Sequence, residues 1–318
     1  MMNTVSVHAL RAGSLTLPEK QFLAPLDDIN SRRTVPSLSF LIEHRSQSTR
    51  KVTRLLFDLG IRREPELYQE NIRRHTLTRR PLDGHPDVID SLSLGNLTSS
   101  DIDFIILSHI HWDHVGMPSD FPDSYFLVGD GSISLLEGDK NGENGGHNHF
   151  EKNLLPRDRT FQLCGPDVPL QADFQPFELD GLSCQPWKRL GQLPHTIDLF
   201  SDGSVMIVDA PGHLPGHINL LCRVRMDPVK YVYLAGDACH DQRILTGECQ
   251  VAEWQDSKFP GKICCIHADR YKATETIKSI RNLQMGGGSL GEVEVILAHD
   301  EDWAEDAQLR GRFFPGSI

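Results

Sequence analysis

Short apolar runs, most of them ended by a polar or charged residue, recur along this chain. They cover Leu38 to Ile42, Val52 to Phe57, Phe104 to Leu107, Tyr125 to Val128, Val205 to Val208, Tyr231 to Leu234 and Val293 to Leu297. Their brevity predicts buried or half-buried strands. Helical patterns are fewer: Pro86 to Leu94, Ser132 to Glu137, Tyr271 to Leu283 and Asp302 to Leu309. Because these fall between or outside groups of strands, sheets covered by helices are expected. Two long segments, 62–84 and 138–159, have weak periodicity, and loops of that length inside a compact domain often serve as lids or binding loops. The run Gly286-Gly287-Gly288 marks a turn before the last strand. With no internal repeat and no long linker, residues 1–318 read as one domain.

Composition narrows the class. At 318 residues and 39% hydrophobic, the chain can bury a large core. Its 44 acidic and 32 basic residues give a net charge of -12, which argues against a nucleic-acid partner. The first segment interrupts its apolar residues with His8, Arg11 and Ser14, unlike a signal peptide. No stretch reaches the ~18 apolar residues of a membrane span. The seven cysteines are irregularly spaced without a C-x-x-C pair, as in the reduced thiols of a cytoplasmic protein.

One segment carries concentrated chemistry. The strand Phe104-Ile105-Ile106-Leu107 runs through Ser108 into His109-Ile110-His111-Trp112-Asp113-His114. Extended backbone puts His109, His111 and Asp113 on one side, and the turn that follows brings in His114. Imidazole and carboxylate suit Zn²⁺, with Fe²⁺, Mn²⁺ and Co²⁺ as substitutes. Such a pattern arises by chance on the order of 0.002 times in a chain of this length and histidine content, so a solvated His-rich loop is the weaker reading.

Further ligands must come from distant strand ends. Val205 to Val208 leads into Asp209-Ala210-Pro211-Gly212-His213-Leu214-Pro215-Gly216-His217, a Gly/Pro turn with two histidines. Tyr231 to Leu234 leads to Asp237, a carboxylate able to bridge two cations, and Val293 to Leu297 leads to His299. Singly, each could be a capping or turn residue. Together they repeat one pattern, an apolar strand followed by His or Asp.

The order His109-x-His111-x-Asp113-His114, Pro211-Gly212-His213, Gly236-Asp237 and Ala298-His299 resembles the metallo-β-lactamase superfamily. The resemblance implies an α/β fold, a four-layer αββα sandwich with metals at one edge of the two sheets. It implies that His109, His111 and His213 hold one divalent cation, that Asp113, His114 and His299 hold a second, and that Asp237 bridges. In that family the first histidine of the doubled Pro-Gly-His turn is the ligand, which leaves His217 a supporting or structural role. Asp58 matches a family aspartate that orients a ligand histidine, and it reads equally well as a turn residue before Gly60.

Within the superfamily the pattern is similar to N-acyl homoserine lactonases. Those enzymes carry a tyrosine three residues after the bridging aspartate, where this chain has His240. The implied reaction is opening of a lactone or related ester by a water shared between two cations, with His240 donating to the carbonyl and Asp113 or a metal-bound water protonating the leaving group. A thioesterase of the same fold is the alternative. No Gly-x-Ser-x-Gly elbow supports a serine mechanism. A small-molecule substrate is expected, with no nucleic acid and no membrane. Phe121, Tyr125, Phe150, Trp187 and Trp254 are aromatics that either line its pocket or fill the core. His147 and His149 read as parts of a solvated loop.

Overall fold

The computed structural model describes residues 2–138, 149–167, 177–179, 182–184, 186–255, 261, 263–286 and 290–318. Its first sheet is built on β1 (Val5–Pro18), β2 (Arg32–Arg45), β3 (Val52–Phe57), β4 (Phe104–Ile106), β5 (Tyr125–Val128) and β6 (Thr160–Gln162), hydrogen-bonded in that order. Leu82–Asp83 adds a short edge beside β1. The second sheet runs β7 (Lys188–Leu190), β8 (Leu193–Asp198), β9 (Val205–Asp209), β10 (Ile218–Met226), β11 (Val229–Leu234) and β12 (Glu292–Ile296). Helices α1 (Glu70–Thr76), α2 (Val88–Ser93), α3 (Ser132–Glu137), α4 (Gln242–Thr246), α5 (Arg270–Gln284) and α6 (Glu301–Leu309) complete it.

Strand alternation explains the layering. Phe104 and Ile106 of β4 join Phe40, Phe57, Ile207, Leu220 and Leu234 in a core between the two sheets. Ile105, between them in sequence, packs the opposite way with Phe126, Val88, Leu92 and Leu135, under α2 and α3. In the second sheet, Met206 and Val208 turn outward with Tyr233 and Val295 onto Ile277, Ile280 and Leu283 of α5. Helix, sheet, sheet and helix follow in order, the four-layer αββα sandwich expected from the resemblance. This is the metallo-β-lactamase fold.

Every strand read from the apolar runs is present. The helix read from Pro86 starts at Val88, because the Asp87 carboxylate accepts from the Asp90 amide and closes a capping box there. Segment 62–84 is more ordered than its weak periodicity suggests: α1 buries Ile72 and Thr76, and a 3₁₀ turn over Leu77–Arg79 follows. The glycine turn at 287–288 and His147 lie outside the described residues. No helix among the described residues is long and apolar enough to cross a membrane.

The pairings put the chemistry at one edge. Strands β3 and β4 run parallel, as do β11 and β12, where Leu234 faces Ile296. Their carboxyl ends therefore release Asp58, the 108–114 segment, Asp237 and His299 on the same side. The amide of Ile218 donates to the Ser108 carbonyl at 2.8 Å, and that of Leu38 to Ala298 at 2.9 Å, tying the two sheets together there.

Candidate metal centre

The seven residues singled out as ligands converge. His109, His111, His213 and Asp237 form one group of donor atoms, and Asp113, His114 and His299 form another. Asp237 lies between them. Its Oδ2 is 3.7 Å from His109 Nε2 and 3.4 Å from His213 Nε2, while its Oδ1 is 3.3 Å from His114 Nε2 and 3.2 Å from His299 Nε2. One carboxylate thus presents an oxygen to each group. Glycine at 236 allows this approach: its φ is +48°, and a Cβ there would meet the Ser108 Cβ at 2.9 Å.

Neighbours fix which nitrogen of each ring faces inward. Ser108 Oγ donates to Asp58 Oδ2 at 2.7 Å, so it can only accept from His109 Nδ1 at 3.0 Å. Nε2 of His109 is then a bare lone pair. Asp58 Oδ2 also accepts from His114 Nδ1 at 2.9 Å, and the Pro36 carbonyl accepts from His299 Nδ1 at 2.8 Å. His109 Nε2 lies 2.8 Å from His111 Nδ1, which is 3.0 Å from His213 Nε2. Three imidazole nitrogens gathered at these distances are spaced as ligands of one cation. In the second group His114 Nε2 is buried without a hydrogen-bond partner, as is Asp237 Oδ1. Buried polar atoms are rarely left so, and a metal ion would satisfy both. The donor set fits two divalent cations.

The electrostatics differ between the two groups: against burial, the Asp237 and Asp58 carboxylates raise His114 well above the ordinary imidazole value, and Asp237 with Asp113 raises His299. Burial, with the neighbouring histidines, pushes His109 and His213 well below the ordinary imidazole value, which keeps them neutral as ligands must be. Burial works against ionising Asp237, yet His114, His240 and His299 hold it well below the carboxylate range.

His217 is placed differently from His213. Its Nε2 accepts the Asp237 amide at 3.1 Å, so that nitrogen is already used, and burial pushes the ring down to about 3. Asp58 answers both of its readings: its φ is +63°, as a turn residue's would be, and its carboxylate holds His114. His240 is buried with Nε2 3.2 Å from Asp237 Oδ2. It lines a cavity of about 200 Å³ with His111, Asp113 and His299.

Of the five aromatics, Trp254 lines this cavity. Phe121 and Phe150 are core, the latter stacked 6.0 Å from His111, and Trp187 donates to the Cys164 carbonyl elsewhere. His149 corrects the sequence reading. It lies in the cavity wall with Nδ1 buried, because Gly and Asn around it say nothing of the distant surface it meets. Three residues escaped the sequence altogether: Ser108, Arg79 and His267. The last is buried with Nδ1 3.2 Å from His213 Nδ1, and Ile263-Cys264-Cys265-Ile266-His267 repeats the signal of an apolar run ending in histidine.

No protein-family model matches the chain. Among curated proteins it is 31% identical over 340 residues to the cytochrome P450 monooxygenase mpaDE of Penicillium brevicompactum, covering 99% of this chain and 35% of that one. The chain thus spans about a third of that relative, whose name describes the whole longer protein. It is 28% identical to the metallo-hydrolase mfmC of Annulohypoxylon moriforme, over 93% of this chain and 78% of the other. It is 27% identical to the gamma-lactamase FDB1 of Fusarium pseudograminearum, over 75% and 54%.

Among solved structures, a B. thuringiensis AiiA mutant with N-decanoyl-L-homoserine bound at the active site superimposes with a TM-score of 0.64 at 16% identity, covering 100% of both chains. AidC, a dizinc quorum-quenching lactonase, gives 0.56 at 15%, over 94% and 88%. Fold and site together define a metallo-β-lactamase-type architecture. In sequence the chain is similar to metallo-hydrolase and gamma-lactamase relatives, and in fold to the solved lactonases.

Proposed function

We propose that the protein is a metal-dependent hydrolase that opens lactones or related carboxylic esters, using two divalent cations, zinc foremost. In this reading His109, His111 and His213 would hold one cation, Asp113, His114 and His299 would hold the other, and Asp237 is placed to serve both. The observation that carries it is the division of Asp237, with one oxygen toward each donor group. When bound, two such cations supply a water acidic enough to attack near neutral pH and a Lewis acid for the carbonyl.

The chain's own residues do the rest. Asp58, Ser108 and the Pro36 carbonyl lock the ring orientations, so little reorganisation is needed at the moment of reaction. His240, in the cavity wall, donates to the carbonyl oxygen where related lactonases use tyrosine. Asp113, open to the same cavity, takes the proton that the attacking water gives up and passes it to the departing alkoxide. The lactonase and lactamase names of the relatives support a ring ester or its amide counterpart over a thioester.

The test is turnover of a lactone and a thioester by zinc-loaded protein, with His240→Ala beside it. Lactone opening should exceed thioester cleavage, and His240→Ala should turn over more slowly with both metals retained. Thioester cleavage alone would overturn the substrate class, and unchanged turnover would remove His240 from the reaction.

A further inference from the structure

Three arginines of the described chain are almost wholly buried, and two of them are fully engaged. Arg62 donates from Nε to the Gly116 carbonyl at 3.2 Å and from an amino group to Leu67 at 2.7 Å, and it pairs with Glu151 at 3.1 Å. Arg223 donates to the carbonyls of Asn3 and Asp202, each at 2.7 Å. The third, Arg79, is 9% exposed at the end of the 3₁₀ turn after α1. Among the described residues no carbonyl or carboxylate lies within hydrogen-bonding distance of its guanidinium. A guanidinium cannot shed its proton; burial weighs against its charge, the Asp113 carboxylate in the same cavity favours it, and Arg32 opposes it.

Arg79 faces the cavity that holds the metal-ligand cluster. His149 lines the same wall, stacked 4.3 Å from His75, and its buried Nδ1 also lacks a hydrogen-bond partner. Burial and the charge of Arg79 hold His149 below its ordinary value, so it enters as a neutral imidazole. A planar fork and a neighbouring ring nitrogen therefore look into one small space. The fork matches a carboxylate in two parallel hydrogen bonds. A chain of net charge -12 does not draw in an anion by its overall field, so a local cation has to receive it.

The space is an open cleft of about 200 Å³. Phe22, Trp112 and Trp254 give it aromatic walls.

We infer that Arg79, with His149 beside it, receives a carboxylate borne by the substrate, so that the molecule hydrolysed is an ester or lactone with an acidic substituent. The inference rests on the hydrolase reading for the word substrate, and on Arg79 alone for the anion site.

Two measurements separate those claims. Calorimetric titration of metal-stripped protein with benzoate should show binding that weakens by about tenfold or more in Arg79→Met, with Arg79→Lys between the two, since the fork is lost before the charge. Metal-loaded protein should favour 3-acetoxybenzoate over phenyl acetate in kcat/KM, and that ratio should collapse toward one in Arg79→Met. Arg79-dependent benzoate binding without hydrolysis of any ester would sink the hydrolase reading and leave the anion site standing. Equal benzoate affinity in all three proteins, or no binding to the wild type, would overturn the anion site whatever the kinetics.

Discussion

Asp58 Oδ2 accepts a hydrogen bond from His114 Nδ1 at 2.9 Å, and that bond decides which nitrogen of His114 faces the Asp237 carboxylate. The same carboxylate takes the Ser108 amide at 2.6 Å and its hydroxyl at 2.7 Å, so one buried group orients His114 directly and His109 through Ser108. Asp58→Ala should therefore weaken divalent-metal binding by about 10–100-fold, as loss of such supports does elsewhere. Titration with a competing chelator measures it. An unchanged affinity would show that the rings are held by packing alone.

The two histidines of the Pro-Gly-His turns should separate cleanly. His213→Ala removes a donor and should lower metal stoichiometry. His217→Ala leaves the buried Asp237 amide without its acceptor, a loss of about 1–3 kcal/mol in folding stability, with the metals still bound. Denaturant unfolding and metal analysis on both variants read the difference. Metal loss in His217→Ala but not in His213→Ala would reverse the assignment.

What the sequence disclosed, and what it hid, follows from the range of the interactions. The strands that carry His109, Asp237 and His299 were legible because apolar run and ligand are neighbours in the chain. Strand β1 was not. His8 and Arg11 break its pattern, and their partners, the Gly316 carbonyl at 2.6 Å and Gln308 at 2.7 Å, lie near the other terminus. Strand β10 hides for the same reason, since the buried Arg223 within it is satisfied by Asn3, far away in sequence. Ser108 and Arg79 have no local signature at all. Each acquires its meaning only when the sheets close, Ser108 between Asp58 and His109, Arg79 at a cavity wall.

Away from the site, Glu294 sets part of the acid stability. Burial opposes its charge, but Lys230 at 2.8 Å, Trp303 at 3.1 Å and Arg312 outweigh burial and hold it at about 2, against 4.5 for a free glutamate. Between those values the unfolded chain binds the proton and the folded one does not, so stability rises with pH there. The contribution is complete above about pH 4.5 and is lost as pH falls through about 2. Glu294→Gln should accordingly show a smaller drop in unfolding temperature than the wild type on acidification through this window. Parallel pH profiles for the two proteins would contradict the assignment.

In the proposed function two cations would sit on either side of Asp237. Metal analysis of protein purified without chelator, set beside lactone turnover and repeated on His109→Ala and Asp237→Ala, tests it most directly. Close to two equivalents are expected in the wild type, with activity abolished by chelation and restored by added Zn²⁺, and joint loss of metal and turnover in both variants. Less than about one equivalent with no activity restored by metal, or full turnover in either variant, would contradict it.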